Sequence, residues 1–124
     1  MNPSELYYKA VKAGQQAAAK CNPTPMTVQQ HASPFNDTSP IVKEWYVPDG
    51  VCGFAWVRLT PARGKFVAWL KLNGIGSGDS YAGGYSIWIH NYNQSMQRKE
   101  AHARAMADVL NEAGLVAYAE SRID

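Results

Sequence analysis

The chain has 124 residues, of which 46% are hydrophobic and 18% are charged, and its formal net charge is +2. This length provides for one domain with one core, and this composition excludes an intrinsically disordered chain. The near balance of 12 basic and 10 acidic residues excludes a protein that wraps nucleic acid through charge alone.

The first part of the chain predicts one helix and two short strands. Residues 4–20 have an apolar stripe at helical spacing, and Ser4 can cap the first turn; the stripe consists of Leu6, Ala10, Ala13 and Ala17. Met26–His31 is predicted as a strand because its Thr and Val favour extended backbone. A loop over residues 32–43 leads to a second predicted strand at Lys43–Val47.

The middle of the chain predicts a buried strand and a short helix. A turn at Pro48-Asp49-Gly50 precedes the strand Val51–Thr60. Alternate residues of this strand share a face, so Cys52, Phe54, Trp56 and Arg58 lie opposite Val51, Ala55, Val57 and Leu59. Pro61 can open a short helix that ends near Leu72. Residues 73–84 hold five of the ten glycines, which predicts a flexible connection.

The last third predicts a strand, the helix with the strongest signal in the chain and a final strand. Tyr85–Tyr92 alternates, with Ser86, Trp88, His90 and Tyr92 on one face. Ser95 caps a helix over residues 96–113, and Gly114 ends it. Val116–Ala119 is the last predicted strand, followed by a charged end over residues 120–124.

The order of these elements favours the α+β class. We expect a mostly antiparallel sheet of four to five strands, with about three helices packed mainly on one face. An alternative is a crossover from Tyr85 through the helix 96–113 to Val116, which joins parallel strands and makes the sheet mixed.

The sequence also indicates where the protein is found and how its thiols behave. No apolar run reaches the roughly 20 residues of a membrane span, and the N-terminus lacks the pattern of a signal peptide. We therefore expect a cytoplasmic protein without a membrane partner. Cys21 and Cys52 form no CxxC pair, so we expect free thiols, one of them buried, with a single disulfide as the alternative. We expect no metal and no cofactor, because His and Cys are scattered.

The aromatic residues, three Phe, four Trp and seven Tyr, interleave with arginines. Ring stacking and guanidinium–phosphate pairing are how proteins hold nucleotides without reading a duplex. Strand alternation groups Trp56 with Arg58, and Trp88 with His90 and Tyr92, and the two groups form one platform if their strands are neighbours. The alternatives are that the rings pack in the core with polar tips at the surface, or that they form a subunit interface of a homo-oligomer.

The junction between the strand 85–92 and the following helix is a second polar cluster. The helix N-terminus, where Ser95 and Arg98 lie, favours an anion or a polar ligand, although plain capping by Ser95 also explains the pattern. The candidate ligand-binding residues are therefore Trp56, Arg58, Trp88, His90, Tyr92, Ser95 and Arg98. We predict that Trp88, Tyr92 or Arg58 lines a pocket closed by the loop 73–84.

No catalytic motif is present, so we name no catalytic residue. Cys52, Ser95 and Ser121 have no partner at a recognisable spacing. An alternative function is a small hydrolase or transferase, with a site near His90, Ser95 and His102.

Two resemblances bear on function. Residues 95–110, which begin Ser95-Met96-Gln97-Arg98-Lys99, resemble the last helix of double-stranded-RNA-binding domains. In that family a Ser followed by basic residues starts the helix and contacts phosphates. This resemblance implies a module that binds RNA or DNA through the basic start of the helix 96–113.

The second resemblance covers residues 50–124 and is carried by Cys52–Val57, Phe66–Lys71, Tyr81–Gly84, Tyr92–Ser95 and Ala117–Asp124. These stretches are similar to small uncharacterised proteins encoded by tailed bacteriophages. The resemblance implies a phage accessory protein made in the bacterial cytosol. Our first functional hypothesis is a non-enzymatic binding protein that counters host defence, by sequestering a small nucleotide-type signal or by blocking a host protein.

Overall fold

A computed structural model describes residues 1–32, 39–48 and 50–124, with the backbone alone at Val42 and Lys43. These residues form three helices and six strands. In chain order they are α1 (Pro3–Lys20), β1 (Met26–His31), β2 (Ile41–Val47), β3 (Gly53–Thr60), α2 (Lys65–Leu72), β4 (Ser77–Gly78), β5 (Tyr85–Trp88), α3 (Met96–Glu112) and β6 (Val116–Ile123). The predicted α+β class is confirmed. No described helix is long and apolar enough to cross a lipid bilayer.

The main sheet has four strands in the order β4-β5-β3-β6, and each neighbouring pair is antiparallel. Because β5 and β6 are both antiparallel to β3, they run in the same direction, and α3 connects them across β3. The predicted crossover from Tyr85 to Val116 therefore exists, but β3 lies between its two strands, so no neighbouring strands of the described sheet are parallel. A separate antiparallel sheet contains only β1 and β2.

The core lies between the main sheet and the helices. Ala55, Val57 and Leu59 of β3 are buried among apolar residues of all three helices, as their alternation predicts. α3 packs against β3 and β6 and also against α1. The helices therefore cover one face of the sheet, and the opposite face, which we call the outer face, carries the alternate residues of each strand.

The start of α1 shows a different cap from the predicted one. Asn2 precedes the helix, and its Oδ1 accepts a hydrogen bond of 2.9 Å from the Glu5 backbone N–H. Pro3 occupies the first helical position, where its missing N–H costs nothing. Asn2 therefore caps α1, and the prediction of Ser4 was wrong by two residues.

The buried stripe of α1 also differs from the predicted one in its second half. It continues from Leu6 and Ala10 to Gly14 and Ala18, where the sequence suggested Ala13 and Ala17. The reason lies in the partner helix: a Cβ at Gly14 would be 2.5 Å from His102 Cδ2 on α3. Only a residue without a side chain lets the two helices approach this closely.

His102 is buried in this helix–helix interface, and its Nδ1 lies 2.7 Å from the hydroxyl of Tyr92. Burial lowers the pKa of His102 from its usual value, because an imidazolium would lose hydration there. The folded protein therefore favours the neutral ring.

Several element boundaries differ from the predicted ones. α2 begins at Lys65, well after Pro61, since Gly64 before it has a φ of 109°, a conformation that glycine adopts without strain. β3 begins at Gly53, and Cys52 before it forms an isolated bridge with Ser95. β2 starts at Ile41, two residues before the predicted strand. Residues 33–38 of the predicted loop and Asp49 of the predicted turn lie outside the described residues.

The two boundaries that matter most for the outer face are the ends of β5 and β6. β5 ends at Trp88, and the chain turns at Tyr92 and Asn93, whose φ values are 70° and 51°. The predicted alternation therefore does not extend to Tyr92. β6 continues to Ile123, so the predicted charged end is mostly strand.

We predict that Gly14→Ala destabilises the protein. Overpacking costs about 1–3 kcal/mol, whereas the helix propensity gained is about 1 kcal/mol, so we expect a net loss on the order of 1 kcal/mol in the free energy of unfolding. Urea denaturation measures it. In a His102→Ala background the same substitution should cost less, since the ring is gone; an equal cost in both backgrounds would contradict the contact.

We also predict a pH dependence of stability from His102. Its folded pKa is lowered, so the unfolded chain binds a proton first as pH falls below its pKa of about 6.5. The stabilisation is complete above that pH and is lost as pH falls toward the folded pKa. Denaturation between pH 7 and 5 should show a smaller slope for His102→Asn than for the wild type, with the exposed His90→Asn as the matched control. An unchanged slope in His102→Asn would refute the assignment.

Candidate functional site

The outer face of the main sheet is formed by residues that the register places side by side. Trp56 on β3 lies opposite Trp88 on β5 and opposite Glu120 on β6. Phe54 and Arg58, two positions away on either side, share this face because side chains alternate along a strand. Phe54 lies opposite Arg122, and Arg58 lies opposite Ser86 and Tyr118. Helix α3 approaches this face at Phe54, whose ring centroid lies 5.6 Å from Lys99 Nζ, and no helix in the described ranges covers the other side chains.

The two tryptophans of this face stack on each other. The ring centroids of Trp56 and Trp88 are 4.6 Å apart, and the ring planes are inclined by 19°. Phe54 meets Trp88 edge-on, with centroids 5.8 Å apart. Such cross-strand aromatic pairs add stability beyond the area that they bury. The result is an aromatic cluster that is only partly buried, in which the two indole rings cover one face of each other.

Glu120 is held in place by two donors from the neighbouring strand. Its Oε1 accepts a hydrogen bond of 2.9 Å from Trp56 Nε1 and another of 2.9 Å from Arg58 Nε. The Arg58 guanidinium also lies 5.0 Å from the ring centroid of Tyr118. The hydrogen bond with Glu120 raises the pKa of Arg58 above the usual value of a guanidinium. Arg58 is therefore a positioning cation whose charge is largely neutralised within the protein.

Arg122 differs from Arg58 because its charge is not neutralised. Its guanidinium lies 5.4 Å from the ring centroid of Phe54 and 5.8 Å from that of Trp88. The residue is exposed, and no carboxylate of the described chain pairs with it. Its N–H donors are thus available to a bound anion.

The glycine-rich segment is an ordered turn that folds over the outer face. Asp79 Oδ1 accepts hydrogen bonds from the backbone N–H groups of Tyr81 at 3.0 Å and Ala82 at 2.8 Å. These bonds lower the pKa of Asp79 because they stabilise its ionised form, and the bond from Ala82 has the larger effect. Gly84 has a φ of 82°, and a Cβ there would collide with the carbonyl oxygen of Leu59. Part of the predicted flexible connection is the short strand β4.

These side chains enclose a cleft of about 350 Å³, which we call the outer-face cleft. Its floor is formed by Trp56 and Trp88, one wall by Asp79, Tyr81 and Ala82, and the other wall by Glu120 and Arg122. Sites for small molecules typically have volumes of about 300–1,000 Å³. Trp88 and the glycine-rich loop therefore line one cleft, as predicted from the sequence, and the binding of a ligand there stays a prediction.

His90 and Tyr92 do not join this cleft. His90 is exposed and lines a separate depression of about 590 Å³ together with Tyr7 and Ser77, on the other side of Trp88. Tyr92 points toward the helices and meets His102. Sequence alternation missed this separation because it assumed that the strand continues past Trp88. Roles of His90 and Tyr92 in binding stay predictions.

Ser95 and Arg98 serve the packing of the helices. Ser95 is buried, and its hydroxyl accepts a hydrogen bond of 3.4 Å from the Arg98 backbone N–H. The Arg98 guanidinium donates to the carbonyl oxygens of Ala18 at 3.0 Å and Cys21 at 3.1 Å, and so satisfies the end of α1. Buried Lys99 donates to the Gly53 carbonyl at 3.3 Å. The basic start of α3 is thus turned toward the protein.

The residues named for a hydrolase or transferase differ in burial and do not form one site. Ser95 and His102 are buried in the helix packing, whereas His90 is exposed in its own depression. Cys21 and Cys52 are free thiols, one partly buried and the other exposed, so the prediction that one thiol is buried was wrong. In the described ranges no three His, Cys, Asp or Glu side chains are grouped to hold a metal ion.

Comparison with known proteins gives no relative: no family model matches the chain, and neither a curated protein nor a solved structure is significantly similar to it.

The candidate residues named from the sequence include none of the five in the cleft walls, Asp79, Tyr81, Ala82, Glu120 and Arg122. A signal was present for the last two. Tyr118, Glu120 and Arg122 alternate with small residues, the same period-2 pattern that identified β3. For Asp79 and Tyr81 the sequence gives a turn but not the direction in which the turn folds.

We predict that Asp79→Ala loosens the turn over the cleft. The backbone N–H groups of Tyr81 and Ala82 lose their acceptor, so their hydrogen exchange should accelerate by about tenfold. Asp79→Asn retains an acceptor oxygen and is the matched control. Unchanged exchange at both amides in Asp79→Ala would mean that the side chain does not organise the turn.

Proposed function

We propose that the protein is a non-enzymatic binder of a small nucleotide-type ligand, which occupies the outer-face cleft. The observation that carries this proposal is the pair of stacked rings, Trp56 and Trp88, beside the unpaired guanidinium of Arg122 in a cleft of about 350 Å³. A flat ring surface beside a free cation suits a ligand that combines a base with a phosphate.

The base is held by stacking on the tryptophan surface. Stacking of a base on an aromatic side chain contributes about 1–3 kcal/mol, and it needs no particular base. Tyr81 is fully exposed on the loop above the floor, so its ring is free to close over the other side of the base.

The phosphate is held by Arg122. A guanidinium presents parallel N–H donors that match phosphate oxygens, and the pair is strongest where neighbouring rings reduce access of water. The rings of Phe54 and Trp88 already hold the guanidinium near the cleft, within 5.8 Å of their centroids. Less side-chain entropy is therefore lost when the phosphate binds.

The charges favour a small ligand over a polynucleotide. Proteins that bind single strands follow the phosphate backbone with a row of cations. On the outer face Arg58 is paired with Glu120, and Asp79 adds a negative charge, which leaves Arg122 as the cation available among the described residues of this face. The inward side chains of Arg98 and Lys99 also give no support to a phosphate contact by α3.

The proposal includes a biological setting, in which a phage protein of this kind sequesters a nucleotide signal of the host's defence. This setting rests on the resemblance that the sequence suggested for residues 50–124, and it stays a prediction because the comparisons found no relative. A sequestering protein needs a preformed site and no turnover, which fits a cleft made of stacking and charged groups. The alternative is that the same surface counters host defence by blocking a host protein.

We predict that mononucleotides raise the melting temperature in a concentration-dependent manner. A ligand that binds only the folded state at about 100 times its Kd stabilises that state by about 2.7 kcal/mol. Trp88→Ala removes part of the floor and should weaken binding by roughly 5- to 150-fold, corresponding to the loss of one stacking contact. Trp45→Ala, on the separate sheet β1–β2, is the matched control.

Arg122→Gln should weaken the binding of a nucleotide far more than the binding of the corresponding nucleoside. The substitution Arg104→Gln, at an exposed position on α3, should affect the binding of neither. No stabilisation by any nucleotide would refute the proposal. Binding of RNA or DNA that falls steeply with salt and exceeds mononucleotide binding would favour the nucleic-acid alternative instead. Conversion of the bound nucleotide into a product would favour the alternative that the protein is a small hydrolase or transferase.

A further inference from the structure

Glu120 forms its hydrogen bonds in an asymmetric way. Both donors, Trp56 Nε1–H and Arg58 Nε–H, bond to the same oxygen, Oε1, at 2.9 Å each. Oε2 has no partner among the described residues. The carboxylate is therefore fixed by one oxygen and leaves the other available beside the cleft that it lines.

An ionised carboxylate oxygen can only accept hydrogen bonds. The donors on Oε1 hold the Glu120 side chain in one orientation, because one comes from a ring within the Trp56–Trp88 stack and the other from a guanidinium held over Tyr118. A base that stacks on the tryptophans thus meets a preorganised acceptor at its edge.

Resting on the proposed binding of nucleotides, we propose that Glu120 is a specificity-determining residue, whose free oxygen selects bases with an exocyclic amino group. Adenine and cytosine present an amino donor at the position where hypoxanthine and uracil present a carbonyl oxygen. An amino group satisfies Oε2, whereas a carbonyl oxygen there places two acceptors against each other and leaves both desolvated.

The asymmetry gives a distinctive expectation for Glu120→Gln. The side-chain oxygen of glutamine has to remain with the two donors, Trp56 Nε1–H and Arg58 Nε–H, because the amide NH2 cannot accept from them. The NH2 group then takes the place of Oε2 and faces the cleft as a donor. The preference should therefore invert toward carbonyl-bearing bases, rather than merely disappear.

The test compares two pairs of mononucleotides, AMP with IMP and CMP with UMP, in which a carbonyl oxygen replaces the amino group and the adjacent ring nitrogen gains a proton. Affinities are measured by calorimetry or tryptophan fluorescence on wild type and Glu120→Gln. For the wild type we expect AMP and CMP to bind about tenfold more tightly than IMP and UMP, the effect of one charged hydrogen bond. For Glu120→Gln we expect IMP and UMP to bind more tightly. Glu100→Gln on α3 is the matched control and should keep the wild-type preference.

The outcomes separate the two proposals. If none of the four nucleotides binds the wild type, the nucleotide-binding function fails and the selectivity fails with it. If they bind with equal affinity, or if IMP and UMP are preferred, binding stands and the role of Glu120 is refuted. A wild-type preference retained in Glu120→Gln also refutes it. Should this variant not fold, the wild-type preference alone decides, since its absence overturns the inference.

Discussion

The strict alternation of β3 is the constraint on which the rest of the structure depends. Ala55, Val57 and Leu59 are buried against the helices, so the intervening residues must point to the opposite face. Because β3 is flanked by β5 and β6, the outward residues Trp56 and Arg58 each have a neighbour on both sides. Trp56 consequently contacts Trp88 on one strand and Glu120 on the other. The packing of the core thus dictates the composition of the outer face.

The two faces of the main sheet are stabilised by different interactions. The helix side achieves stability by close packing, which disfavours an added methyl group at Gly14 and a charged ring at His102. The outer face instead holds polar groups in fixed directions, with Glu120 bonded by two donors and Asp79 bonded to its own turn. Because the cleft and the contact between Gly14 and His102 lie on opposite faces of the sheet, substitutions in one should act nearly independently of substitutions in the other.

The features that were predictable from sequence are those that depend on neighbours along the chain. The strand period of residues 53–60 and the helical character of α1 and α3 are local, and so is the cap at Ser95. The inward and outward residues of β3, including Trp56 and Arg58, follow from that period alone. The features that were missed depend on a distant partner. Gly14 is buried because of His102, and the 120–123 segment is a strand because β3 offers it hydrogen bonds.

The amino-acid sequence by itself determined the α+β class, the main elements and the aromatic and basic side chains that one strand presents together. Only the tertiary structure decided which of these residues meet. It joined Trp56 to Trp88, added Glu120 and Arg122 from the end of the chain, and turned Tyr92 and Arg98 toward the helices. The physical reason is that periodicity reports the direction of a side chain within its own element. Strand order, register and the φ values of connecting residues set what lies opposite it, and these arise from contacts between distant segments.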